Sequence, residues 1–166
     1  FLRKDMARDS LMINYEQFYS LYRSVELRWS NMEALRLAAW LASQAVPDFY
    51  QEDVALEAAP NEVIDRTLQK LWGIKLGKPT SNEANSSRWI LAALSDFNGQ
   101  LQARDIIRFL EKATDTVGKP VYQDRYLMPA EIKKAVSRCS TDKIGEIRDE
   151  IKALGPIFDK LENAPA

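Results

Sequence analysis

One segment of this chain, residues 102–115, repeats its apolar side chains at the three- and four-residue spacing of an amphipathic helix. Its apolar side consists of Ala103, Ile106, Ile107, Leu110 and Ala113. Its charged side consists of Arg104, Arg108, Glu111 and Asp115. A helix with one apolar side has to cover that side with other elements of a core. The segment therefore predicts a packed domain and places two arginines together on the face opposite its core.

Start and stop signals predict further helices along the chain. Residues 30–33 form a capping box, Pro47 ends the helix that follows, and Gly73 supplies a left-handed end to a helix that starts at Pro60. The predicted helices cover residues 14–22, 31–46, 60–72, 102–115, 129–139 and 156–161. Two more are predicted, one from residue 86 or 87 to about residues 96–99 and one from a cap at residues 140–142 to residue 154. The predicted fold class is all-α, a helical bundle followed by a small C-terminal helical module, with room for one short strand.

The segments outside the clearest helices carry their own signals. Residues 73–85 are rich in glycine, proline and asparagine, which favours a mobile linker, and residues 116–128 predict a loop or a short edge strand. The nearly all-apolar residues 89–94 are expected at the buried centre of the bundle. Residues 1–5 predict the end of a strand and its exit, and their apolar start without a methionine leads us to expect a fragment of a larger polypeptide.

The composition excludes several classes of function. The chain has no histidine, which removes Ser-His-Asp and Cys-His catalysis and histidine metal sites. Its net charge is −1 with both signs mixed along the chain, so nucleic-acid binding is not indicated and stays open only through a patch made by folding. No apolar run approaches the roughly 18 residues of a membrane span, which predicts a soluble, cytoplasmic protein without membrane contact.

The single cysteine, Cys139, has no second cysteine with which to form an intrachain disulfide. It lies at helical spacing with Ile132, Ala135 and Val136. We therefore expect a buried structural thiol rather than a reactive one.

Residues 73–80 superficially resemble the phosphate-binding Walker A loop but miss its requirements. That loop needs four residues between its glycines, where this segment has three, and a serine or threonine directly after its lysine, where this segment has Pro79. It also links a strand to a helix, whereas this segment follows a predicted helix. We do not expect it to bind phosphate.

Arg104 and Arg108 allow two interpretations. An arginine held at the start of a helix can bind a γ-phosphate with two N–H groups and thereby report whether that phosphate is present. The alternative is a solvated helix face on which the arginines pair with Asp105, Glu111 or Asp115. Residue spacing alone favours the solvated face.

The order of these residues resembles the sensor 2 region in the helical lid of AAA+ and STAND-like bacterial P-loop ATPases. Gly99 is followed by Arg104, which opens an apolar helix, and then by residues 107–110. Residues 1–5 resemble the strand after Walker B in those proteins, which ends in a sensor 1-type residue. The tail at residues 128–150 also resembles the carboxyl-terminal half of such ATPases, so the likeness extends over nearly the whole chain.

This resemblance implies roles for individual residues and a division of the chain. Arg104 would be the sensor 2 arginine, with Arg108 beside it, and Arg3 or Lys4 would lie on the sensor 1 side, although that position is typically asparagine or threonine. Residues 1–13 would end the ATPase core, 14–115 would form the helical lid bundle, and 116–166 would form the C-terminal module.

The same resemblance implies the cofactors and partners. ATP and magnesium would be bound through an ATPase core domain of the same polypeptide, since neither Walker motif is present in these residues. This segment would therefore bind no cofactor by itself and would not be catalytic, whereas its parent would be an ATPase. A homo-oligomer is expected, as is coupling of the nucleotide state to conformational change or assembly.

A second hypothesis is a stand-alone helical protein-interaction module without nucleotide binding. Its arginines would be ordinary surface charges, and its recognition surface would be the aromatic residues Tyr15, Phe18, Tyr19, Tyr22 and Trp29. Because rings also bury much area, the same residues are typical of core packing between the first two helices, which we expect more strongly.

Overall fold

A computed structural model describes residues 4–25, 29–96, 99–115 and 121–162 of the chain. The all-α prediction is confirmed for these residues, in which the only extended pairing is an isolated antiparallel bridge between Lys75 and Asn85. The α-helices are α1 (Lys4–Leu11), α2 (Tyr15–Tyr22), α3 (Asn31–Ala45), α4 (Asn61–Trp72), α5 (Ser86–Leu94), α6 (Ala103–Thr114), α7 (Pro129–Glu150) and α8 (Gly155–Glu162). Short 3₁₀ turns lie at Met12–Asn14, Arg23–Val25 and Lys152–Leu154.

The extended chain predicted at the start is wrong for Lys4 and Asp5, because both belong to α1. Residues 1–3, including Arg3, lie outside the described residues. Helices α1 and α2 pack mainly against each other and against the 3₁₀ turns beside them. Several large apolar side chains of this region stay exposed: Met6, Met12, Ile13, Leu21, Tyr22 and Val25.

A single apolar core is built by α3 to α6 together with the first half of α7. Its fully covered side chains include Trp72, Phe109, Ile64, Ile90 and Ile132. The capping box that starts α3 is confirmed, with Glu33 N donating to Ser30 Oγ and Ser30 N donating to Glu33 Oε2. The first half of α7 contributes to the same core as α3 to α6.

Helix α5 is less central than predicted. Ile90, Leu91 and Leu94 are buried, but Ala92 and Ala93 are exposed, so only one face of this apolar helix enters the core. Alanine tolerates exposure on a helix because it has high helix propensity and little apolar area to hide. An uninterrupted apolar run therefore overstated the burial of this segment.

Helix α7 is continuous from Pro129 to Glu150, and the predicted restart near residue 140 is wrong. The hydroxyls of Ser140 and Thr141 donate to the carbonyl oxygens of Val136 and Ser137, four residues earlier in the same helix. Serine and threonine make such bonds inside helices as well as capping bonds at their starts. A serine-threonine pair therefore does not by itself mark a boundary.

The segment 73–85 is a hydrogen-bonded loop rather than the open linker that its composition suggested. Leu76 N donates to Ala84 O, Ser86 N donates to Ile74 O, and the side chain of Leu76 is buried. The guanidinium of Arg125, from the loop before α7, donates to Lys75 O at 2.8 Å. Glycine is required at position 73, where φ is +74° and a Cβ would lie 2.2 Å from Arg125 Cζ.

Candidate functional site

Contacts among Asp96 and residues 99–102 precede the start of helix α6. Gly99 adopts a φ of +70°, Asp96 Oδ1 accepts from Gln100 N, and the side chain of Leu101 is buried. Gln102 N then donates to Asp105 Oδ2 at 3.1 Å, which caps the helix. These contacts place Arg104 in the first turn of α6, as the sequence predicted.

Arg104 and Arg108 share one face of α6, as predicted, but their partner lies on another helix. Glu146 of α7 pairs with both: its Oε1 lies 2.5 Å from Arg108 Nη2 and its Oε2 lies 3.3 Å from Arg104 Nη2. These two contacts with Glu146 of α7 therefore differ from the predicted pairing with carboxylates of α6. The Arg104 side chain keeps 51% of its surface exposed, against 25% for Arg108.

The residues of α6 that face the core differ from those predicted, because the helix is rotated about its own axis. Phe109 is fully buried, with its ring centroid 6.3 Å from that of Trp72, whereas Ile107 is 48% exposed. A ring buries more area than an isoleucine and gains from its contact with a second ring, so the helix turns Phe109 inward. This rotation directs the Arg104 and Arg108 face towards α7.

Glu146 and Arg108 shift each other's pKa. The hydrogen bond from Arg108 holds the pKa of the Glu146 carboxyl below its ordinary value, and the positive charge of Arg104 acts in the same direction. The same hydrogen bond raises the pKa of Arg108. Both groups are thus charged near neutral pH, and two guanidiniums share one carboxylate with a local net charge of +1 for the three groups.

Further ion pairs join α6 and α7, and together with the contacts of Glu146 they form a row of charged contacts that we call the seam. Lys112 Nζ lies 3.3 Å from Asp142 Oδ2, and Lys143 Nζ lies 3.6 Å from the buried Asp105 Oδ2. Lys143 also donates to Leu94 O at the carboxyl end of α5, where the helix dipole favours a cation. The seam therefore ties three helices together at the end of the bundle that carries Arg104.

A cavity of about 20 Å³ lies beneath Arg108, lined in part by Asp105, Cys139, Ser140 and Lys143. This is about the space that one buried water needs. A phosphate group does not fit inside it. Any anion held by Arg104 and Arg108 would therefore bind on the surface above this cavity, at the exposed edge of Arg104.

Cys139 is buried at the base of this seam, which confirms the expected burial of the thiol. Burial raises its pKa, because an apolar surrounding disfavours the thiolate. The thiolate is the nucleophilic form, so this environment suits a structural cysteine.

The aromatic residues near the amino terminus divide between packing and exposure. Tyr15 is buried and stacks on Tyr19, while Phe18 contacts Tyr22, which is half exposed. Trp29 is 42% exposed. Core packing between the first helices thus accounts for Tyr15, and part of the aromatic surface remains available to a partner.

Two residues that the sequence did not single out shape this region, Glu146 and Lys143. Glu146 and Lys143 are a helical turn apart on α7. This spacing indicates that they share a face, but only if residues 129–150 form one helix. Within the described residues, no group of three or more carboxylate or cysteine side chains could hold a metal ion. None of the described helices combines the length and apolar character needed to cross a membrane.

Comparison with protein-family models, with curated proteins and with solved structures found no match to this chain. Assignment of a function therefore depends on the geometry of the seam and on the resemblance of its motifs.

Proposed function

We propose that this chain is the nucleotide-sensing lid of a bacterial P-loop ATPase, in which Arg104 and Arg108 contact the terminal phosphate of ATP. The observation that supports the proposal most is the shared face of these two arginines at the first turns of α6, where, within the described part of the chain, both pair with the carboxylate of Glu146. Their unmatched positive charge and the half-exposed Arg104 suit an anionic ligand. The order of residues around Gly99 and Arg104 adds the resemblance to a sensor 2 helix.

The chemistry of the two side chains favours phosphate over other anions. Each guanidinium offers a planar fork of N–H donors, and two forks one helical turn apart can reach different oxygens of one phosphoryl group. Charge that develops on those oxygens during phosphoryl transfer is stabilised by such donors. The arginines would thus bind the nucleotide and also assist its hydrolysis.

ATP and magnesium would be bound by an ATPase core domain of the same polypeptide, with the lid closing over them. Arg3 would approach the same phosphate from the sensor 1 side. Loss of the terminal phosphate would free Arg104 and Arg108 and reopen the lid, an order or hinge change of the kind used by nucleotide switches. A cytoplasmic homo-oligomer that assembles according to nucleotide state is part of the proposal.

The test is ATP turnover by the full-length protein carrying Arg104→Ala or Arg108→Ala. We expect turnover to fall about tenfold or more for Arg104→Ala, because charge stabilisation by arginine contributes strongly to phosphoryl transfer. Arg66→Ala, which removes an exposed arginine of α4, is the matched control and should leave turnover unchanged. Unchanged turnover and unchanged nucleotide-dependent assembly in Arg104→Ala would reject the sensor role.

The second candidate, a helical protein-interaction module, is supported by the exposed apolar side chains of α2 and its flanking turns. Ile13 is 95% exposed and Leu21 is 75% exposed, which is a high degree of exposure for large apolar residues. The double variant Ile13→Ser with Leu21→Ser separates the two candidates. The module hypothesis predicts that this variant loses assembly while Arg104→Ala retains it.

A further inference from the structure

The two halves of α7 are attached to the bundle by different forces. In the first half, Ile132, Ala135, Val136 and Cys139 are buried in the common core. From Ser140 to Asp149 every side chain is exposed or only partly buried. Full burial of side chains therefore ends at Cys139, and in the second half Ile147 is only partly buried, so other contacts contribute more to its attachment.

That attachment is a row of ion pairs to α6. Asp142 contacts Lys112, Lys143 contacts Asp105, and Glu146 contacts Arg104 and Arg108. Surface ion pairs are individually weak and are screened by salt. The second half of α7 is thus held by contacts that a competing charged ligand can replace.

We propose that Glu146 is a carboxylate latch: it occupies the guanidiniums that a phosphate would bind, and a phosphate at Arg104 and Arg108 releases the second half of α7. This inference rests on the proposed phosphate binding by these two arginines and adds how that binding is transmitted. A carboxylate and a phosphate both accept from the guanidinium fork, so the two compete for the same N–H donors.

Release of Glu146 affects the segments that follow it. A short helical segment without tertiary contacts is only marginally stable in water, so residues 140–150 fray once they leave α6. Helix α8 is linked to the end of α7 through Arg148, whose Nη2 lies 3.0 Å from Asp159 Oδ1 and whose guanidinium lies 5.9 Å from the Phe158 ring centroid. Phosphate binding on α6 thereby alters the position or order of the C-terminal helix.

The experiment uses this 166-residue chain with inorganic tripolyphosphate as the probe. Binding is measured by calorimetry, and the opening of α7 is measured by amide hydrogen exchange with sodium chloride at matched ionic strength as the reference. The key variant is Glu146→Gln, which removes the charge but keeps the shape. Glu111→Gln is the matched control, since it removes one exposed carboxylate from α6 outside these ion pairs.

Tripolyphosphate is expected to speed exchange at residues 141–150 about two- to fivefold, which corresponds to the free energy of a partly exposed ion pair. Exchange at residues 129–139 should not change, because the core holds them. Glu146→Gln should exchange faster without the probe and bind it about two- to fivefold more tightly. Glu111→Gln should behave as the unmodified chain does.

The latch is overturned if the probe binds the unmodified chain and Glu146→Gln equally well, or if exchange at residues 141–150 follows ionic strength alone. Absence of binding to both proteins overturns it as well. Failure of the latch leaves the sensor role intact, because that role is judged separately by the effect of Arg104→Ala on ATP turnover. Loss of turnover in Arg104→Ala with no change in exchange would therefore retain the sensor and reject the latch.

Discussion

Two arginine sites of this molecule use the same side chain in opposite ways. Arg125 is fully buried; it pairs with Asp124 through two contacts of 3.0 Å, donates to Lys75 O at 2.8 Å and lies 4.4 Å from the Tyr122 ring centroid. Arg104 and Arg108 lie at the surface and share the single carboxylate of Glu146. At the first site the guanidinium donates to other groups of the protein. At the second site N–H donors of the guanidiniums lie next to solvent.

The difference shows that burial, rather than charge, separates a structural arginine from one suited to a ligand. Arg125 joins the loop after α4 to the loop before α7, and its removal would take the guanidinium donor away from the part-buried carbonyl oxygen of Lys75. Arg104 can exchange one anion for another without exposing any core residue. Arg125 therefore contributes mainly to stability, whereas Arg104 and Arg108 are the arginines for which we propose a role in binding.

The largest expected effect comes from Arg125→Ala. This change removes the donor to Lys75 O, the contact with Tyr122 and the guanidinium that lies beside Gly73, so we expect the free energy of unfolding to fall by about 3 kcal/mol. Urea unfolding followed by circular dichroism measures it. Arg66→Ala is the surface control, and a change in Arg125→Ala as small as in that control would contradict the structural role.

A smaller loss is expected for Gly73→Ala. The new Cβ meets the Arg125 guanidinium and forces an L-residue to a φ of +74°, which should lower the free energy of unfolding by about 2 kcal/mol. In the double variant Gly73→Ala with Arg125→Ala the clash is absent. Its loss of unfolding free energy should therefore be smaller than the sum of the losses of the two single variants. Full additivity would show that the backbone angle alone, rather than contact with Arg125, requires glycine.

The smallest expected effect concerns the titration of Glu146, followed by carboxyl-carbon NMR. Its pKa should lie below the ordinary value of about 4.3, because Arg108 donates to the charged form. A lowered folded-state pKa means that the ion pair stabilises the protein above the unfolded-state pKa and that this contribution is lost as the pH falls through the folded-state value. Arg108→Ala should return the pKa towards its ordinary value.

Arg104→Ala should raise the pKa of Glu146 less than Arg108→Ala, since the hydrogen bond from Arg108 is the largest cause of the shift. An unshifted Glu146 in the unmodified chain would remove the contrast between the two arginine sites.

Local signals predicted much of the helical architecture. The capping box at Ser30 and Glu33, proline at position 129 and glycine at position 73 each act within a few residues, and each marks a helix end in the structure. The first-turn position of Arg104 and its common face with Arg108 also follow from helix geometry alone. These predictions hold because the interactions behind them do not depend on distant parts of the chain.

Predictions that depended on packing were less accurate. The apolar period of α6 predicted that Ile107 faces the core, but Phe109 is buried there, in contact with Trp72, and Ile107 is exposed. The serine-threonine pair near residue 140 was compatible with a cap or with an uninterrupted helix, and the structure shows the uninterrupted helix. Periodicity predicts that a helix has an apolar face, but it does not predict how that face is rotated relative to the neighbouring helices.

The sequence by itself determined that this chain is helical, where most of its helices end, and that two arginines lie together at the start of α6. Tertiary structure decided that Glu146, 38 residues after Arg108, is their partner and that Arg125 fills the space beside Gly73. The physical reason is the range of each interaction. Capping and helix periodicity act over a few residues, whereas the pairing of charges between helices depends on how their faces rotate when the core packs.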